Sequence, residues 1–346
     1  MALLSDYFEP IGNGKVKCKS CSIGCELSPG GTGRCKIYTN RAEKLWYETD
    51  SPSTVSVSTT HEESFFHIFP GAKLVVFSTA SCNFTCPYCF NFPYSTHMFK
   101  NLGCSLNEIE DCGPSVSNTM HMDPEDLPYI MTLKGAQALL FAITEPCIIP
   151  TTLLKWCKVA SENNIPVLVN TNGYSTPETL EALMPYVDGW TIDIKGDDDM
   201  YKKILKLPLG IKPVLDNVET LLRNAKHVEL IIPIWDLNGD KTIFTDILGP
   251  IAAINPYTPV HVKKTIPVAN REEVADSLVQ EMSVAIVDIG FKYVYNNISP
   301  ENQITYCLKC QAPLYQRTYD GTFRNCGVCE THCSSCDHET GIKPLK

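Results

Sequence analysis

The chain of 346 residues has no apolar run approaching the ~18 residues that a membrane helix needs, so no membrane span is expected. Its opening, Met1-Ala2-Leu3-Leu4-Ser5-Asp6, lacks the basic-then-apolar order of a secretory leader, which points to the cytoplasm. Positive charge is also scarce. Lys and Arg number 29 against 39 Asp and Glu, a formal charge of -10, and phosphate binding depends on clustered cations, so no nucleic-acid partner is expected. Cysteine, by contrast, is plentiful. There are 17, many in C-x2-C pairs, a spacing that in a cytoplasmic chain reads as metal binding rather than as a disulfide framework.

The chain is organised around Cys82, Cys86 and Cys89, spaced C-x3-C-x2-C directly after Lys73–Ser78, an apolar run that reads as a strand. Three is the informative number. A 4Fe-4S cluster usually takes four thiolates, so three leave one iron open to chelate a substrate and pass it an electron. Zinc has no redox chemistry and could not do this. The competing reading is a zinc site completed by Cys104, Cys112 or His97; the order of polar residues further along weighs against it. With Tyr88 offering a flat face to an adenine, the loop resembles that of the radical S-adenosylmethionine (radical SAM) enzymes.

Two further cysteine runs flank this loop. Cys18, Cys21, Cys25 and Cys35 form a closed set of four, which zinc or a second iron-sulfur cluster would satisfy equally in ligand count. A zinc staple for a segment too short to build its own core is the preferred reading. Near the other end, Cys307-x2-Cys310 and Cys326-x2-Cys329 have a zinc-ribbon spacing, and zinc is expected on these four. Cys333 and Cys336, with His332 and His338 interleaved, exceed what one zinc needs: they compete for the ribbon, bind a second metal, or help ligate a cluster.

Between these runs short apolar strands alternate with helical patterns. Strands are expected at 73–78, 139–143, 166–170, 190–194, 228–232 and 260–263, and helices at 123–137, 152–163, 177–184, 217–224, 245–254 and 272–288. This alternation implies parallel strands joined by crossovers. The fold expected is α/β: a partial (β/α)6 TIM-like barrel over 65–300, with a Cys-rich N-terminal segment over 1–64 and a zinc-ribbon-like module over 301–346. The polar stretch 92–122, with Cys104 and Cys112, carries no assignment, and His67 is read as structural.

In such barrels the chemistry lies at the carboxyl ends of the strands, and polar groups recur there: Glu145, Asn172, Asp193 and Lys195, Asn238 and Asp240, Lys263 and Lys264. They suit SAM, with Glu145 for its ammonium, Lys195 for its carboxylate, and Asp193 or Asn172 for its ribose. Together with His67-Ile68-Phe69-Pro70-Gly71, Thr144-Glu145-Pro146, Thr171-Asn172-Gly173-Tyr174 and Tyr293-Val294-Tyr295-Asn296-Asn297, they make the chain similar to radical SAM enzymes related to the pyruvate formate-lyase activating enzyme, above all the AmmeMemoRadiSam-type branch. The resemblance implies a 4Fe-4S cluster on Cys82, Cys86 and Cys89, Tyr88 at the adenine, Glu145 at the methionine amino group, and Asp193 and Lys195 touching SAM. It departs at Ile143-Thr144, where glycines or asparagine are usual, and at Phe90, commonly Gln. A flavodoxin or ferredoxin donor and a protein or peptide substrate, as for glycyl radical enzyme activation, are implied. A small-molecule substrate, or a metal-stapled binding module without activity, are the alternatives.

Overall fold

A computed structural model describes residues 3–47, 52, 54–79, 81–89, 91, 122–238, 242–266, 272–299, 303–318 and 322–345. His97, Cys104, Cys112, Phe90 and Asp240 lie outside the described residues. The central sheet comprises β1 (Thr54–Thr59), β2 (Lys73–Ser78), β3 (Ala138–Phe141), β4 (Val167–Thr171), β5 (Gly189–Asp193), β6 (His227–Ile234), β7 (Val260–Lys264) and β8 (Val294–Asn296). The strands follow one another in chain order across the sheet. Neighbours from β2 to β8 pair in parallel, whereas β1 runs antiparallel to β2. Strands such as β3 and β6 are buried at every position, as parallel strands covered on both faces must be.

The sequence thus leads to six of these eight strands. It misses β1 because Thr-Val-Ser-Val-Ser-Thr is a half-exposed edge strand with no continuous apolar run. It misses β8 because three residues are too few to carry a period. The sheet also draws in residues 54–59, which the sequence reading placed in the N-terminal segment.

The crossovers are α1 (Leu127–Lys134), α2 (Pro150–Glu162), α3 (Pro177–Leu183), α4 (Lys212–Arg223), α5 (Thr242–Ile254) and α6 (Asp276–Ile289). Their ends follow local chemistry. Thr176 caps α3 by accepting from the Thr179 N–H at 3.2 Å, with Pro177 in the first turn, and Gly135 closes α1 in the left-handed region. α4 buries Val214, Asn217, Val218 and Leu221, the spacing of one helix face. Among the described residues, no helix is long and apolar enough to cross a membrane.

The two ends of the strands are closed differently. At the amino end, the segment before β2 fills the interior: Phe65 and Ile68 pack against Leu74, Val76, Leu140 and Leu168. The C-terminal module lies over this segment, with Phe69 N donating to Lys343 O (2.7 Å), Lys343 N to His67 O (2.8 Å), and Arg317 to Phe66 O (2.8 Å). At the carboxyl end sits the N-terminal module, two small three-stranded sheets. It is bonded to the loop after β4 by Ser22 Oγ to Ser175 O (2.8 Å) and Thr176 Oγ1 to Lys19 O (2.7 Å).

Candidate functional site

The loops at the carboxyl ends of β2 to β7 enclose a cavity of about 500 Å³. Its lining includes Cys82, Cys86 and Cys89 with Tyr88, and also Glu145, Asn172, Asp193, Lys195 and Lys263. Residues separated by up to 181 positions in the chain meet here because parallel strands deliver every following loop to the same side.

The cysteine loop is held from below and from the side. Thr144 clamps the end of β2, accepting from Thr79 N (3.0 Å) and donating to Thr79 O (2.8 Å). Asn91 donates to Ile143 O at 2.8 Å. Ile143 takes φ of 72°, the left-handed conformation that the glycine usual in the similar family adopts without strain, and a β-branched residue there is a marked outlier. Asn172 Nδ2 donates to Asn83 Oδ1 at 2.7 Å, fixing the residue beside Cys82.

Glu145 is 2% exposed. Its Oε1 accepts from Thr171 Oγ1 (2.7 Å) and Cys147 N (3.1 Å), and its Oε2 from Asn172 N (2.7 Å). Burial raises its pKa, opposed by the Asn172, Thr171 and Cys147 bonds. Three protein donors already hold this carboxyl, and one oxygen retains room for a further donor from the cavity. Asp193 and Lys195 form an ion pair at 2.5 Å. Burial disfavours the Lys195 ammonium, but Asp193, Tyr88, Cys86 and Tyr201 together outweigh it and its pKa stands well above the ordinary lysine value. The Lys195 backbone N–H donates to Tyr201 OH at 3.2 Å. Lys263 is half-buried; burial lowers its pKa although Glu63 and Asp193 pull the other way. Tyr88 packs its ring against Trp235, centroids 4.6 Å apart, so one of its faces is already covered.

Trp235, Tyr201 and Asn83 support the site without a sequence signal that singled them out. Trp235 is buried just after β6 and Tyr201 lies on a single π-helical turn, features that the strand-end pattern does not report. Asn238, in contrast, stands where the resemblance put a polar residue, and its Nδ2 donates to Pro233 O (2.7 Å) and Lys195 O (3.2 Å).

Cys18, Cys21, Cys25 and Cys35 line one small apolar cavity in the N-terminal module. In the C-terminal module the expectation for the ribbon needs correction. Cys307 and Cys310 are joined by Cys333 and Cys336, not by Cys326 and Cys329. The four sulfurs lie within 4.8 Å of one another, with Cys307···Cys336 and Cys310···Cys333 both at 3.7 Å. Each pair is a tight knuckle followed by a residue at positive φ, Gln311 (59°) and Asp337 (55°). Cys326 and Cys329 are exposed at a hairpin bend that Asn325 holds by accepting from Gly327 N and Val328 N. A tetrahedral ion with metal–sulfur bonds of about 2.3 Å has sulfurs about 3.8 Å apart, so this set could hold one zinc or iron.

Residues 76–242 match the profile of the radical SAM superfamily. The uncharacterized protein MJ0808 of Methanocaldococcus jannaschii is 26% identical over 351 aligned positions, covering 97% of this chain and 98% of that protein. The putative glycyl-radical enzyme activating enzyme MJ1227 of the same organism is 26% identical over 140 residues, 40% of this chain and 50% of its own length. Among solved structures, SuiB of Streptococcus suis bound to S-adenosylmethionine superposes with TM-score 0.47 at 12% identity, over 65% of this chain and 50% of that one.

Proposed function

We propose that this chain cleaves SAM reductively and uses the resulting radical to remove hydrogen from a protein or peptide, in the manner of an activating enzyme. The observation that carries the reading is the convergence of three thiols, a buried carboxyl and an acid–lysine pair on one cavity. The donor set fits the group: Cys82, Cys86 and Cys89 would hold a 4Fe-4S cluster, with no fourth cysteine among the described residues lining that cavity. Bound there, the cluster supplies the electron that splits the sulfonium into methionine and a 5'-deoxyadenosyl radical.

The chain's own residues bind and orient. Glu145 accepts the methionine ammonium on its less engaged oxygen while fixing the Asn172 backbone. Lys195 offers its ammonium to the methionine carboxylate. Asp193 and Asn172 take the ribose hydroxyls, and Tyr88, backed by Trp235, borders the adenine. The closed base, filled by Phe65 and Ile68, keeps water from entering on that side. Cys307, Cys310, Cys333 and Cys336 hold zinc in this reading, and a flavodoxin or ferredoxin delivers the electron. The likeness to activating enzymes, including the AmmeMemoRadiSam-type branch, and the name of the partial relative MJ1227 support the peptide substrate.

A small-molecule substrate is the second reading, favoured by a specific feature. A second cavity of about 380 Å³ shares Glu62, Lys263 and Asn297 with the main one and is lined by His261, Asn296 and Gln303. Anaerobic protein reconstituted with iron and sulfide, then given dithionite and SAM, is expected to release 5'-deoxyadenosine. A Cys86→Ala variant should release none. Iron-loaded wild type that releases none with candidate partners present would leave the binding-module reading standing.

A further inference from the structure

The cations around the two cavities differ in what holds them. Lys195 pairs with Asp193 (2.5 Å), Lys264 with Glu273 (2.6 Å) and Asp276 (2.7 Å), and His261 with Glu229 (2.7 Å). Arg317 donates to Phe66 O (2.8 Å), Thr305 Oγ1 (2.9 Å) and Gln303 O (3.2 Å). Lys263 differs from all of these. Among the described residues its ammonium makes no hydrogen bond and no ion pair. Its side chain is half-buried, and burial lowers its pKa. Glu63 and Asp193 oppose this through space, but Asp193 is already committed to Lys195. A partly desolvated ammonium in that state is stabilised by any anion that reaches it.

The position of Lys263 on β7 sets where such an anion would lie. Lys263 stands opposite Pro233 of β6, at the carboxyl end of both strands, and it lines both the mouth of about 500 Å³ and the side cavity of about 380 Å³. In the proposed reaction the mouth takes the cluster and SAM, which leaves the side cavity for the part of a substrate remote from the reacting carbon. The amides there are occupied. Asn297 accepts from Lys264 N (2.7 Å) and donates to Lys264 O (3.2 Å), and Gln303 donates to Asn296 O. Phosphate sites combine several cations or use a helix N-terminus. Here the described lining offers one ammonium without a partner, alongside Glu62, Glu63 and Asp193, a balance that suits a singly charged carboxylate.

We infer that Lys263 binds a substrate carboxylate at the junction of the two cavities. That the carboxylate belongs to the substrate rests on the proposed reaction; that a carboxylate binds there does not. Anaerobically reconstituted, full-length protein is treated with a low dose of acetic anhydride, and acetylation of Lys263 is quantified by mass spectrometry. The probes are hexanoate and N-acetyl-trialanine, each compared with its amide. One of the acids should lower labelling of Lys263 roughly 10-fold while its amide leaves labelling unchanged, and which acid protects separates a small-molecule source from a peptide one. Calorimetric affinity for that acid should fall roughly 10- to 100-fold in Lys263→Met, the worth of one charge-assisted bond, and recover in Lys263→Arg. The inference is overturned if neither acid protects, if acid and amide protect alike, if inorganic phosphate protects better than either acid, or if SAM alone protects fully. Labelling is read on the wild type, so a variant that fails to fold leaves the test intact. Protection by an acid in protein that releases no 5'-deoxyadenosine would sink the SAM reading and leave the site, whereas release without protection would sink the site alone.

Discussion

The two ends of the sheet use the same kinds of residue for opposite ends. At the base, Glu229 is fully buried and accepts from Phe66 N (3.0 Å), His67 N (2.8 Å), His227 Nε2 (2.9 Å) and His261 Nε2 (2.7 Å). Burial works against its charge, but His227 and His261 outweigh it and hold the carboxyl well below its usual range. Four donors occupy both oxygens, so this carboxylate fastens the plug segment to β6 and β7. At the mouth, Asp193 keeps 23% of its side chain exposed and pairs with one lysine. What separates scaffold from chemistry here is whether a charged group has capacity left over. Glu145 is intermediate: it sits at the mouth, yet is held almost as fully as Glu229.

Five substitutions, and a titration compared with His67→Gln, test that contrast. The largest effect is expected for Cys86→Ala, which should abolish 5'-deoxyadenosine release while far-ultraviolet circular dichroism stays native. Next, Glu229→Gln should lower unfolding free energy by about 3–5 kcal/mol in urea titrations, because it leaves a buried network without its charge. Should Glu229→Gln cost less than about 1 kcal/mol, the base would not be the structural end. Lys195→Met at the mouth should change stability little and weaken SAM binding roughly 10- to 100-fold, the worth of one charge-assisted bond, measured by equilibrium binding. Cys333→Ser should release the C-terminal metal, whereas Cys326→Ser should retain it, read by metal analysis.

The most gradual effect is a pH dependence of stability at the base. Burial pushes His67 from 6.5 down to about 3, and His261 is lowered as well, again by burial first. Below the unfolded value the unfolded chain takes up protons that the folded chain refuses, so stability should fall as pH drops from about 6.5 toward 3. For one such group the slope is about 1.4 kcal/mol per pH unit. His67→Gln should flatten it, as followed by thermal melts.

Where placement is carried by local spacing, the sequence is a sufficient guide. The C-x3-C-x2-C loop, the alternation that implies parallel crossovers, and the strand-end positions of Glu145, Asn172, Asp193 and Lys195 follow from which residues stand near one another along the chain. Period and turn chemistry are local properties, and strong apolar runs such as β2 and β6 announce themselves. The edge strand β1 and the short β8 do not, since their pairing is decided by a neighbour already in place. Nor could spacing choose among three C-x2-C pairs: only the folded chain turns Cys326 and Cys329 outward and brings Cys333 and Cys336 onto Cys307 and Cys310. Glu229 reads in sequence as one polar residue in an apolar strand, and Trp235 as an aromatic after one. Their roles come from partners far away in the chain, and those partners are set by packing, which no local pattern encodes.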